Sequence, residues 1–265
     1  MSGLRLPGGE GSWAGGEVVG ADGIRVCCIL APNASPMTLD GTNTWIIPSG
    51  REALVIDPGP DEPIHLRAIE AKLAELEVRA RGILLTHAHP DHAAGAGTCA
   101  KSWGVPIHAF ADLPTGSSVH LTCGDLAVEV LATPGHTADS VCVRIAQGRL
   151  LFTGDTVLGR GTSVVAWPDG DLGAYLESLA RLADCAEQVD YLLPGHGPVL
   201  AQPADVLSAY RAHRLRRLSE VKDALASGAR TPAEVVAEVY ADVPREVWPA
   251  AEQSVRAQLA YLGML

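Results

Sequence analysis

A layered α/β sandwich with a small C-terminal helical appendage is the fold class this sequence predicts, and three observations carry it. Apolar runs and helix-like stretches follow in the order strands, helix, strand, helix, strands, helix, strand, which suits helices packed outside sheets. Several runs end in a polar cluster beside small residues: Thr86-His87, Gly135-His136, Gly154-Asp155 and Gly195-His196. Glycine lets the backbone bend tightly there, and in open α/β sheets functional groups collect beyond the strand ends. Finally, 265 residues with 47% hydrophobic and 19% charged side chains suffice for a large core and argue against global disorder.

In chain order, the Gly-rich Met1 to Gly20 lacks the apolar core of a signal peptide, so we expect a flexible arm over 1–16. Glu17 to Leu30 alternates as an early strand, with Val18, Ile24, Val26 and Ile29 partly inward. Thr44 to Ile47 and Ala53 to Asp57 read as strands joined at Pro48-Ser49-Gly50. Pro63 opens a helix running to Leu76. Gly82 to Leu85 is a buried strand, Asp91 to Lys101 a short helix of small residues, and Val105 to Ala109 a strand. Strands follow at Leu126 to Ala132, Val141 to Ile145 and Leu150 to Thr153, then a helix from Asp171 to Ala183 and a short strand at Tyr191 to Pro194. This gives a main domain over 17–203 and a helical segment over 204–265.

The chemistry concentrates in Thr86-His87-Ala88-His89-Pro90-Asp91-His92, directly after a strand. Neutral imidazoles and a carboxylate are transition-metal ligands, and two ions would use this many. A lone histidine is more often structural, but three with an aspartate inside six positions point to metal. His65, His108, His120 and His213 have no such context and are expected to be structural or exposed. The cysteines Cys27, Cys28, Cys99, Cys123, Cys142 and Cys185 show no C-x-x-C pair, so we expect reduced core thiols in a cytoplasmic protein. No apolar run reaches bilayer-spanning length. A net charge of −11 disfavours polyanions unless positive charge is gathered locally. Oligomeric state is not legible.

These motifs resemble the metallo-β-lactamase superfamily over roughly Val18 to Leu200: Asp57 after a strand, the T-H-A-H-P-D-H block, Gly135-His136-Thr137, Gly154-Asp155-Thr156 and Gly195-His196-Gly197. The resemblance implies a four-layered αββα sandwich with its site at one rim. Carried over by position, His87, His89 and His136 would hold one divalent ion. Asp91, His92 and His196 would hold a second, Asp155 would bridge, and Asp57 would orient a ligand imidazole or the ligand loop. Zinc is the expected metal, with manganese or iron as alternatives. Two ions about 3.5–4 Å apart imply hydrolysis by a shared hydroxide, with Asp91 also handling the proton.

Asp155 stands where class B β-lactamases with this motif carry cysteine, which argues against antibiotic hydrolysis. The H-A-H-P-D-H block differs from the H-x-E-x-D of diiron flavoproteins, and the interval from Asp155 to His196 leaves no room for the extra domain of CPSF-type nucleases. Similarity is closer to the β-lactamase-like protein 2 group of endoribonuclease-like hydrolases, through Pro36 to Trp45, Gly154 to Thr162 and the C-terminal region. Trp45 stands where that group more commonly has tyrosine. Arg160 and Thr162 are possible substrate contacts.

The C-terminal region is expected to be winged-helix-like. A helix over Ala204 to Ala226 carries Arg211, His213, Arg214, Arg216, Arg217 and Lys222; Gly228 stops it, Thr231-Pro232-Ala233-Glu234 starts another, and a last spans about Pro249 to Leu262. It either offers a basic face to RNA phosphates or packs on the sandwich and covers one rim of the pocket. We favour the packed helix, since charge runs are usually solvated faces. The expected reaction is cleavage of a phosphodiester, as in single-stranded RNA, with a small acyl thioester or ester as the alternative substrate, as in glyoxalase II-like or polyketide thioesterase-like enzymes. A non-catalytic binding module would have no need of seven ligands.

Overall fold

The computed structural model describes residues 12–265; most of the expected arm lies outside them. Its last residues are docked, since the Trp13 indole donates to Asn43 Oδ1 at 2.8 Å and packs against the core.

The first sheet runs, in spatial order, β1 (Gly16–Val19), β2 (Arg25–Leu30), β3 (Asn43–Ser49), β4 (Glu52–Ile56), β5 (Arg79–Leu84) and β6 (Ile107–His108). The second runs β7 (Ser118–Cys123), β8 (Leu126–Ala132), β9 (Val141–Ile145), β10 (Leu150–Gly154), β11 (Tyr191–Pro194) and β12 (Leu200–Ala201). Both are mixed: β4, β5 and β6 are parallel, as are β10 and β11, and the remaining pairs are antiparallel. Parallel neighbours end on the same side, so strand ends that are far apart in sequence become adjacent.

Alternation sorts the side chains into layers. Leu54 and Ile56 of β4 face Phe152 of β10 in the core between the sheets, whereas Ala53 and Val55 face the opposite way. Trp45 meets Phe152 edge-on at 5.6 Å between ring centroids, a geometry that adds about 1 kcal/mol to plain burial. Outside the first sheet lie α1 (Pro63–Glu75), α2 (Pro90–Ala93) and α3 (Ala96–Trp103); Leu66, Ile69 and Cys99 of α1 and α3 cover that face. Outside the second lie α4 (Leu172–Asp184) and the start of α5 (Pro203–Ser227), through Tyr175, Leu179, Val206 and Tyr210. This is the αββα sandwich.

The far end of α5 forms a small separate core with α6 (Pro232–Val239) and α7 (Trp248–Tyr261), around Val221, Val235, Val236, Val255 and Leu259. Thr231 and Glu234 form a reciprocal capping box that starts α6. No strand follows Ala201 among the described residues, so the appendage carries helices without a β wing.

Three expectations need correction. Glu17 to Leu30 is two antiparallel strands, broken by a turn in which Asp22 and Gly23 take positive φ. Asp91 to Lys101 is two helices, α2 and α3, separated at Ala94–Gly95. β7 was not anticipated, although Val119, Leu121 and Cys123 alternate with Ser118, His120 and Thr122; the inward side chains are few and Cys123 alone is buried.

Candidate metal centre

Five strand ends converge at one rim. β4 and β5 are parallel with Ile56 opposite Leu84, so Asp57 lies beside the loop that carries His87, His89, Asp91 and His92. β10 and β11 are parallel with Gly154 opposite Pro194, which sets Asp155 beside His196. His136 follows β8 across Gly135, whose φ of 142° and lack of a Cβ let Tyr175 Cα approach; an added methyl carbon would stand 2.3 Å from it. Gly195 is equally constrained, since a Cβ there would lie 2.5 Å from Asp155 Oδ1. Two backbone hydrogen bonds join the sheets at this rim: Val141 N to Thr86 O at 2.8 Å and Asn43 N to Gly195 O at 2.7 Å.

All seven candidate ligands meet. His89 Nδ1 stands 3.0 Å from His87 Nε2 and 3.1 Å from His136 Nε2. In a second group, His196 Nε2 lies 3.2 Å from both His92 Nε2 and Asp91 Oδ2. Asp155 reaches both groups, with Oδ2 at 3.7 Å from His136 Nε2 and 3.4 Å from His196 Nε2, and Oδ1 at 3.5 Å from His92 Nε2.

The other ring nitrogens explain this orientation. Asp57 accepts from Thr86 N at 2.8 Å and from Thr86 Oγ1 at 2.6 Å, and His92 Nδ1 stands 2.9 Å from the same carboxylate. Having given its proton to Asp57, the Thr86 hydroxyl can only accept from His87 Nδ1, 3.0 Å away. One carboxylate thus sets His92 directly and His87 through a hydroxyl. His136 Nδ1 faces Val164 O at 2.6 Å and Ser163 Oγ at 3.0 Å, and His196 Nδ1 faces Gly41 O at 3.1 Å. With Nδ1 engaged by these acceptors, each of these four rings points its Nε2 into the cluster, where it offers a lone pair once any second proton has left.

Lone pairs aimed at one another repel unless a cation lies between them. Donors on a tetrahedral zinc-sized ion stand roughly 3.3 Å apart, close to the spacings seen. Asp155 Oδ1 is buried with no hydrogen-bond partner, an arrangement that is costly without a cation. The donor set therefore fits divalent metal. Electrostatics agree. Burial pushes His196 down, but Asp155 and Asp91 overcome it and lift it to about 10. Burial pushes Asp155 up, yet His196 and His92 hold its carboxyl well below the usual range. A cation binding here would displace the protons that these carboxylates retain on imidazole.

Of the other anticipated residues, Arg160 and Thr162 line a cavity of about 150 Å³ beside His136 and Asp155, with Arg160 ion-paired to Asp40 at 2.5 Å. Trp45 is buried, its indole donating to Pro194 O at 3.1 Å, so it supports the end of β11 and takes no part in a substrate edge. All six cysteines are free and five are buried. Burial raises every one, Cys99 and Cys142 to about 12, so none is poised as a thiolate. Sequence reasoning missed the supports. Asn43 Nδ2 donates to Pro194 O and Gly197 O, both at 2.9 Å, fixing the His196 turn. His65 Nε2 meets Thr44 Oγ1 at 2.8 Å, and that hydroxyl donates to Asp57 O at 2.6 Å.

Comparison with known proteins accords with this geometry. A family model described as the metallo-beta-lactamase superfamily matches residues 37–115 and 117–196, and one for a beta-lactamase associated winged helix domain matches 231–262. The chain is 33% identical to an atrochrysone carboxyl ACP thioesterase of Aspergillus chevalieri, over 84% of this chain and 75% of that protein. It is also 33% identical to a beta-lactamase-like protein 2 homolog of Drosophila melanogaster, over 88% of this chain and 86% of the relative. A beta-lactamase domain protein from Burkholderia ambifaria superposes with a TM-score of 0.77 at 21% identity, covering 98% of this chain and 91% of the other, which shows the shared fold.

Proposed function

We propose that this chain, which belongs to the metallo-β-lactamase superfamily and is a metal-dependent hydrolase, cleaves small acyl thioesters. The observation that carries the reading is where the α5 arginines go. Arg214 is buried, donates to Ser163 O and stacks over Tyr175. Arg217 is shared between Glu220 and Val239 O at 2.9 and 2.8 Å, and Arg216 also faces Glu220 at 3.6 Å. Among the described residues, Arg211 and Lys222 alone of that series stay exposed with no hydrogen bond or ion pair, too few for a phosphate-tracking face. The space beside the cluster is a small cavity walled by Leu39, Leu158 and Val164, which suits an acyl chain better than a polynucleotide.

Two divalent ions, most simply zinc, would be held by His87, His89 and His136 and by Asp91, His92 and His196, with Asp155 between them. Bound there, they would supply Lewis-acid polarisation of the thioester carbonyl and make a water more acidic. Protein groups do the rest. Asp57 and Thr86 hold two imidazoles in one orientation and tautomer. Asp91 is the more exposed carboxylate of the pair, its side chain 29% accessible against 11% for Asp155, and so is placed to pass a proton between water and site. Water adds to the carbonyl carbon, the C–S bond breaks, and the thiolate leaves to take up a proton.

The test is hydrolysis of an N-acetylcysteamine acyl thioester by zinc- or manganese-loaded protein, beside labelled single-stranded RNA, with Asp155→Ala as control. Thioester cleavage that is lost in the control supports the reading. RNA cleavage with inert thioesters would return the assignment to a phosphodiesterase.

A further inference from the structure

A second cavity of about 230 Å³ adjoins the first. The two share the wall made by residues 162–164 and Pro36–Met37, so the space beside the cluster continues towards the C-terminal helices. Its lining holds three basic residues, His213, Arg214 and Arg217, and no carboxylate. That is unusual in a chain with 31 acidic residues against 20 Lys and Arg.

Arg214 is the informative member. It is 5% exposed and forms no ion pair within 4 Å among the described residues, while its Nε has no hydrogen-bond partner. Its ties among the described residues are neutral: a backbone carbonyl, Ser163 O, and the face of Tyr175. Burying a guanidinium with no counter-charge is expensive, and a ligand carrying negative charge would remove that penalty. His213 Nδ1 is likewise buried and unpartnered. Ser163 joins this cavity to the metal cluster, because its carbonyl accepts from Arg214 and its hydroxyl lies 3.0 Å from His136 Nδ1. An anion at Arg214 would therefore be separated from the candidate ligand His136 by Ser163 alone, which suits a charge carried on a short acyl group better than the phosphate of a long carrier arm.

We propose that this cavity is a subsite for a carboxylate borne on the acyl part of the substrate, with Arg214 as its counter-charge and Thr162 and His213 beside it. The proposal rests on the thioester reading for the word acyl alone; anion binding is measurable without turnover.

Glutarate and butyrate are titrated calorimetrically into the metal-loaded full chain. Glutarate should bind about tenfold more tightly than butyrate, and Arg214→Gln should abolish the difference, the scale expected for a charged hydrogen bond. Ala250→Leu, which narrows the cavity without touching the arginine, should reduce the same preference and serves if Arg214→Gln does not fold. Equal binding of the two acids, or a preference that survives both substitutions, would overturn the proposal. In a second arm, kcat/KM for glutaryl and butyryl thioesters of N-acetylcysteamine is compared in the same proteins. A glutarate preference with neither thioester hydrolysed would keep the subsite and remove the thioester reading. Equal hydrolysis without any glutarate preference would do the reverse. If Arg214→Gln slowed both thioesters equally, Arg214 would only brace Ser163, and the subsite would fall.

Discussion

The first sheet and the second contribute to the candidate centre in opposite ways. The first supplies four ligands from one loop after β5, and a single buried carboxylate, Asp57, orients two of the imidazoles. The second supplies His136, Asp155 and His196 from three separate strand ends, with His136 held by Val164 O and Ser163 Oγ and His196 by Gly41 O. One half concentrates its control, whereas the other distributes it. A lost support should therefore spread through the first sheet's ligands and stay local among the second's.

Asp57→Ala should break this comparison most severely. It leaves Thr86 N–H, the Thr86 hydroxyl and His92 Nδ1–H without an acceptor in a buried place. Metal affinity should fall about 100-fold, with about 3 kcal/mol or more of stability lost. Competition with a chelator and urea unfolding measure the two, and a loss below tenfold would mean that the ligands do not depend on Asp57.

Proton displacement sharpens the comparison at intermediate scale. His196 is lifted to about 10, after its carboxylate neighbours outweigh burial. A raised folded-state value gives the metal-free protein stability that is complete below the ordinary imidazole range and is lost as pH rises through about 10. Metal must expel that proton, so affinity should climb up to about tenfold per pH unit between pH 7 and 9. Titration in two buffers of different ionisation enthalpy should show proton release, and its absence would sink the argument. Ser163→Ala should have the smallest effect. Val164 O still accepts from His136 Nδ1, so metal affinity should fall by about tenfold or less, with the Asp91, His92 and His196 group unmoved.

The same contrast governs what could be read from the sequence. Four ligands within six positions are visible at a glance, and the dispersed three were recoverable because each follows an apolar run and a glycine or a glycine-like turn. Acceptors such as Val164 O and Gly41 O were invisible, since a backbone carbonyl has no residue signature. β7 was concealed for a different reason: its alternation is regular, but Val119 and Leu121 are only half-buried and Cys123 alone is buried, so no apolar run marks it. The α5 arginines were legible in part. Val206, Tyr210, Arg214 and Leu218 recur every fourth residue on the buried stripe, a period that marks Arg214 as interior, whereas counting charge marks it as surface.

The bonds from Asn43 and Val141 that cross between the sheets have a mechanical consequence. Candidate ligands in each group come from both sheets, so an ion held there acts as a rivet through two plates. The plates must be in register for the rivet to fit, because Gly195 of the second leaves no slack of even one methyl carbon against His92 of the first, whose Cε1 would stand 2.7 Å from a Cβ there. An ion loaded after the two halves have docked would then lock the seam against shear.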